Sequence, residues 1–99
     1  MIDTTSGSLV LEGFRALGDP TRLRIVRLLE GGSRCVCEIQ RDLPDVAPNL
    51  LSHHLRVLRE AGLVSAHKRG RWMDYALRAE GWAELCQALP VLCKENRSR

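Results

Sequence analysis

Ninety-nine residues, 44% hydrophobic and 27% charged, describe one globular domain that is small enough to gain from pairing with a second copy. No apolar run approaches the roughly 20 residues of a membrane span. The opening Met-Ile-Asp-Thr-Thr-Ser-Gly-Ser lacks the basic-then-apolar pattern of a secretion signal. The four cysteines are therefore expected in the reducing cytoplasm, where metal binding or redox sensing suits them better than a structural disulfide.

The net charge of +3 is unevenly distributed. Residues 1–46 carry six Arg against seven acids, a net −1, and residues 73–99 balance at zero. Residues 47–72 carry +4 and all three histidines. Basic charge gathered on one segment is a footprint of nucleic-acid binding.

In chain order, residues 1–8 are small and polar and read as a frayed tail. Val10, Leu11, Phe14 and Leu17 recur at helical spacing and predict a first helix that stops at Gly18. Asp19 then suits an N-cap and Pro20 a first helical position. Leu23, Ile25, Val26, Leu28 and Leu29 make this second helix broadly apolar, hence central, until Gly31-Gly32. Val36, Ile39 and Leu43 give a short third helix stopped by Pro44.

The fourth helix lies between Pro48 and Gly62, a first-turn proline and a left-handed stop. Ala47 is a poor cap, so Asp45 is expected to share that task. Leu51, Leu55 and Leu58 mark the buried face, which places Asn49, His53, Arg56 and Glu60 opposite, with Ser52 to one side. Amide, imidazole and guanidinium groups can read base edges or grip phosphates, which makes Asn49, Leu50, Ser52, His53 and Arg56 candidate DNA-binding residues. His54 borders the apolar face and reads as a satisfied, half-buried histidine.

Two strand-like runs, Val64 to His67 and Trp72 to Leu77, flank Lys68-Arg69-Gly70-Arg71, a glycine-containing hairpin tip with three cations in four residues. Lys68, Arg69 and Arg71 are candidate phosphate contacts, and Trp72 and Tyr75 are expected to pack the hairpin onto the helices. A helix followed by a basic hairpin is the layout of a winged helix-turn-helix, in which a helix enters the major groove and the wing touches flanking backbone or minor groove. Trp82, Leu85, Leu89 and Leu92 define a last helix, with a break expected near Leu89 because Pro90 cannot continue it, and residues 96–99 read as frayed. The apolar stripes of the first and last helices exceed what a small monomer readily buries, so Leu11, Phe14, Trp82, Leu85 and Leu89 are candidate dimer-interface residues. The fold class is thus mainly α with a small β-hairpin: a winged helix-turn-helix of about five helices plus a wing, homodimeric, occupying residues 1–99 as one domain.

Leu17-Gly-Asp-Pro-Thr-Arg-Leu-Arg-Ile-Val, Cys35-Val-Cys-Glu-Ile, Leu51-Ser-His-His-Leu-Arg-Val-Leu-Arg-Glu-Ala-Gly-Leu-Val and the Gly70 hairpin together resemble the arsenic-repressor family, ArsR/SmtB, of bacterial metalloregulators. The match covers most of residues 14–77 in the family's order. It implies a homodimer built by the first and last helices, bound to two-fold operator DNA and released by an inducer. The Cys35-Val36-Cys37 pair resembles the thiolates that the family's arsenic and cadmium/lead sensors place at the start of the third helix. Thiolates suit thiophilic ions, so the resemblance implies trivalent arsenic or antimony as inducer, with cadmium or lead as the alternative.

The chain departs from the family's forms in three places. The third cysteine of the common arsenic site falls on Gln40, and the extra N-terminal cysteines of the cadmium/lead form are missing before Cys35. The family's zinc site on the last helix would need acids and histidines near Ala79, Gly81 and Leu92, where only Glu95 fits. A third thiolate is accordingly assigned to Cys93 or Cys86, which also read as small apolar packing residues. Two cysteines two positions apart on a regular helix diverge by about 200°, so joint ligation requires the first turn of the third helix to be unwound. Competing readings are a persulfide or oxidant sensor on the same fold, a thiol enzyme, and a winged helix used only for protein contacts. The thiol enzyme is disfavoured because no Cys-x-x-Cys accompanies a βαβ pattern, and the basic wing argues against a purely protein-binding role.

Overall fold

The computed structural model describes the backbone of residues 4–89 and the side chains of residues 9–89. Asp19 lies in extended backbone and its carboxylate accepts the Arg22 N–H at 3.1 Å, so the cap expected from sequence starts α2 (Pro20–Leu29). Ile25, Val26 and Leu29 of this helix enter the core beside Ile39, Leu51, Leu55, Leu58, Leu63 and Val64. The apolar breadth of α2 is what makes it central.

Before it, α1 (Thr4–Ala16) begins inside the stretch expected to fray. Polar, small residues lower helix propensity by only fractions of a kcal/mol each, too little to stop a helix already anchored by its apolar stripe. After α2 comes an element the sequence did not announce, the two-residue strand β1 (Arg34–Cys35). It is too short for any periodicity and exists through its partner strand. Then α3 (Val36–Asp42) and α4 (Pro48–Glu60) form the helix-turn-helix pair. Asp45 does not cap α4; its carboxylate takes two hydrogen bonds from Arg24, at 2.8 and 3.0 Å, and Ala47 stands at the cap without a side-chain bond. The turn is held instead by Gln40, whose side-chain amide donates to the carbonyls of Leu43 at 3.2 Å and Val46 at 2.7 Å.

Gly62 adopts φ +80° and ends α4 as a left-handed stop. The hairpin follows as β2 (Val64–Arg69) and β3 (Trp72–Leu77) in antiparallel register, Arg69 opposite Trp72. Its two-residue loop puts Gly70, at φ +61°, in the first central position, where a hairpin turn of this length favours glycine. β1 joins the far side of β3, giving a three-stranded sheet of order β1-β3-β2 rather than a bare hairpin. Trp72 is 47% exposed at the wing tip, a correction to its expected packing role, because its place opposite Arg69 lies beyond the helices. Tyr75, nearer the base, does pack against the core.

The last helix, α5 (Ala79–Ala88), ends just before Leu89, in keeping with the break expected from Pro90. Pro90, Leu92, Cys93 and the expected frayed end at 96–99 lie outside the described residues. α5 packs on α1, and Leu85, only 6% exposed, sits over Gly13 so closely that a Cβ there would stand 2.8 Å from its Cδ2. Leu85 is therefore packed within the chain itself, against α1. Trp82 is half-buried and its indole donates to the Leu63 carbonyl at 3.0 Å, pinning α5 to the start of the wing. Phe14 is likewise half-buried, whereas Leu9, Leu11 and Leu89 are exposed. No helix among the described residues is long and apolar enough to cross a membrane.

The N-terminus of α5 rests directly on the end of α4: a Cβ at Gly81 would collide with the Gly62 carbonyl. The obstacle is backbone, which cannot rotate away. We expect Gly81→Ala to cost about 1–3 kcal/mol by overpacking, seen in a thermal melt as a drop of at least about 4 °C. An unchanged melting temperature would show that the contact is looser than described.

Candidate nucleic-acid interface and thiol pair

Apolar burial of Leu51, Leu55 and Leu58 fixes how α4 is rolled. Asn49, Leu50, Ser52, His53 and Arg56 are then all exposed on its outer side, as the helical spacing predicts. Asn49, Ser52, His53 and Arg56 line one groove with Arg59 and Tyr75, between α4 and the wing. Arg59 was missed by sequence reasoning. The signal was available, since it lies one turn beyond Arg56 on the same helix.

His54, next to the outward His53, points the other way and is only 7% exposed. Its Nδ1 accepts a hydrogen bond from the Arg22 guanidinium at 3.0 Å, so the neutral ring carries its proton on Nε2. Arg22 also donates through Nε to the Ala16 carbonyl at 2.6 Å, and Asp19 Oδ2 lies 3.9 Å from Nδ1. One guanidinium thus ties the end of α1, the start of α2 and the middle of α4. Burial pushes the His54 imidazole below its usual value of 6.5, while Asp19 opposes the shift and Arg22 and His53 add to it. Asp19 itself is held below the usual carboxylate range, chiefly by the backbone N–H of Arg22.

The wing cations are not equivalent. Arg69 is engaged by Asp74, with Nε 2.6 Å from Oδ2 and a terminal nitrogen 3.1 Å from Oδ1. Lys68 and Arg71 make no ion pair among the described residues and project at the exposed tip.

Cys35 and Cys37 sit at the junction of β1 and α3, their Cα atoms 5.4 Å apart and their sulfurs joined in a disulfide. The condition that the spacing sets for the two to meet, backbone that is not regular helix across the pair, is fulfilled here. Cys35 is the N-cap, extended at φ −77° and ψ 159°, and the helix starts only at Val36. No turn has to unwind for the two sulfurs to meet. The backbone N–H of Cys35 donates to Glu38 Oε1 at 3.0 Å, which closes the first turn. Cys35 is buried and Cys37 exposed, so the pair is open to solvent on one side.

Cys86 is exposed on α5, a helix that packs on α1. Among the described residues no group of three or more His, Cys, Asp or Glu is placed to hold a metal ion. The described part of the thiol site thus offers two sulfurs. Gln40, at the position of the family's further cysteine, is committed to the Leu43–Val46 turn. Gly81 has no room for any side chain.

Comparison with known proteins agrees with this geometry. The pattern described as "Bacterial regulatory protein, arsR family" matches residues 19–66. An uncharacterized HTH-type transcriptional regulator of Methanocaldococcus jannaschii is 52% identical over 65% of this chain and 72% of its own length. The arsenical resistance operon repressor of Escherichia coli is 44% identical over 70% of this chain and 59% of its own. A putative arsenical resistance operon repressor of Halobacterium salinarum is 39% identical over 85% of this chain and 69% of its own. Among solved structures, an ArsR family transcriptional regulator superposes with a TM-score of 0.81 at 26% identity, covering 100% of this chain and 99% of that one. A homodimeric winged helix-turn-helix DNA-binding domain from Mycobacterium bovis gives 0.72 at 28% identity, covering 96% and 89%.

The His54 contact carries a pH signature. Below about 6.5 the unfolded chain binds a proton that the folded chain, with its lowered pKa, still refuses. Stability should therefore be level above that value and fall as pH drops towards the folded pKa. We expect the urea midpoint to decline from about pH 7.5 to about pH 5.5, and His54→Gln to flatten that decline. Equal slopes for the two proteins would remove His54 from the account.

Proposed function

Because this chain belongs to the ArsR family of DNA-binding transcriptional regulators, which are not enzymes, we propose that it is a repressor whose operator is released by trivalent arsenic or antimony. The observation that carries the reading is the convergence of the Cys35 and Cys37 sulfurs at the start of α3, the helix that precedes the outward-facing α4. In the reduced form these are two thiolates of the kind a soft, thiophilic ion prefers. Relatives named as arsenical resistance operon repressors support that choice of inducer over cadmium or lead. A third thiolate, if recruited, comes from Cys86, Cys93 or a second copy of the chain.

On this reading the whole chain works as one domain, and Asn49, Leu50, Ser52, His53 and Arg56 meet the major groove. Lys68 and Arg71 anchor the wing to phosphates, with Arg69 beside them at the tip. A homodimer, as in the Mycobacterium bovis domain, uses the exposed Leu9, Leu11 and Leu89 of the α1–α5 face, with Phe14 and Trp82 behind them. Its two reading helices then face successive major grooves of a two-fold operator, roughly 34 Å apart. Inducer must bind the free dimer more tightly than the DNA-bound one, since a ligand shifts an equilibrium only through differential affinity.

The disulfide favours a second reading, in which oxidation of the same pair releases DNA. Operator binding by reduced protein, titrated separately with arsenite and with a disulfide-forming oxidant, separates the two. We expect arsenite to release the wild type and to leave Cys35→Ser/Cys37→Ser bound. Release by oxidant alone would replace the arsenic reading, and an unimpaired arsenite response in the double variant would overturn the thiol site altogether.

Readers and anchors should also separate. We expect Asn49→Ala and Ser52→Ala to lower operator affinity relative to random DNA by about 1–3 kcal/mol each. Arg71→Ala should weaken both DNAs alike and reduce the salt slope by about 1 per site. The opposite pattern in a binding titration would exchange the two roles.

A further inference from the structure

The wing contains its own competitor for DNA phosphate. Asp74 lies in the middle of β3, opposite His67 of β2 on one side and Cys35 of β1 on the other. Residues paired directly across strands share a face, so Cys35, Asp74 and His67 line one side of the sheet, and alternation adds Trp72 and Arg69 to it. On that side the Asp74 carboxylate reaches diagonally to Arg69 in a two-point contact, the geometry in which a guanidinium also grips a phosphate. The Asp74 side chain is 19% exposed and that of Arg69 66%, so the carboxylate is seated in the sheet while the cation stays within reach of solvent.

We propose that Asp74 is a latch on the wing, which sets its DNA affinity by holding Arg69 in the bidentate contact that a phosphate would otherwise take. The proposal rests on the reading of the wing as a DNA contact and adds a residue to it. The charge states agree with this geometry. The guanidinium holds Asp74 below the usual carboxylate range, so the latch stays charged at neutral pH. Arg69 in turn is raised chiefly by its hydrogen bonds to Asp74. Lys68 and Arg71 make no such contact among the described residues and reach phosphate unopposed. Arg69 contributes only after it leaves Asp74.

The test uses the full chain on operator and random DNA across a salt series, with Asp74→Asn, Asp74→Glu, Arg69→Ala and the Asp74→Asn/Arg69→Ala pair. Melting curves establish first that each variant is folded. Asp74→Asn should bind both DNAs more tightly, with a salt slope steeper by about 1 per protomer, because one more cation meets a phosphate. Asp74→Glu, which keeps the charge, should stay near wild type. In the Arg69→Ala background most of the gain should disappear, a non-additivity that simple removal of a negative charge does not give. An equal gain with and without Arg69, or an unchanged slope in Asp74→Asn, overturns the latch. If Arg71→Ala also leaves the slope unchanged, it is the wing contact itself that fails. A changed slope in Arg71→Ala beside an unchanged one in Asp74→Asn rejects the latch alone.

Discussion

Everything outward-facing depends on the burial of one face of α4. Leu51, Leu55 and Leu58 are almost wholly removed from water, and burying side chains of this size is worth about 1.5–3 kcal/mol each. Rolling the helix would expose all three at once. His54 adds a directional constraint to that non-directional one, because its bond to Arg22 locks the same helix against the start of α2. The outward side chains of α4 therefore need no contacts of their own to be presented; the core presents them.

The thiol pair obtains its geometry from a different source. Cys35 is extended because it belongs to β1 and is paired with Asp74, and Cys37 is helical because Glu38 closes the turn around the Cys35 N–H. The pair straddles a change of secondary structure, and the change itself brings two side chains together that either regular conformation alone would space differently. A ligand held at the two sulfurs would act on the boundary between strand and helix, which α3 connects to the turn that Gln40 secures.

What could be read in the sequence was what has a local cause. Asp19-Pro20, Pro48, Gly62 and Gly70 each announce an end or a turn through their own conformational limits, and all four are where they were expected. The outer face of α4 was legible because three leucines suffice to define its inner face. What could not be read had a distant cause. β1 depends on hydrogen bonds to β3, forty residues along the chain, and the convergence of Cys35 with Cys37 depends on β1. Leu85 was legible as apolar, but whether it faced α1 or a second chain depended on Gly13, whose missing side chain leaves the space. The ion pair of Arg69 with Asp74 depends on hairpin register, which a list of wing cations does not contain.

The order β1-β3-β2 has a consequence for how copies of the chain can meet. A sheet edge with unpaired N–H and C=O groups is a template for another strand, and proteins guard such edges with brevity or with charge. Here one edge is β1, only two residues long, and the other is β2, which ends in His67, Lys68 and Arg69. Neither edge invites a neighbouring sheet to add to it. The sheet edges thus disfavour strand-to-strand association, and the basic charge that would draw the hairpin to DNA also keeps it from its own kind.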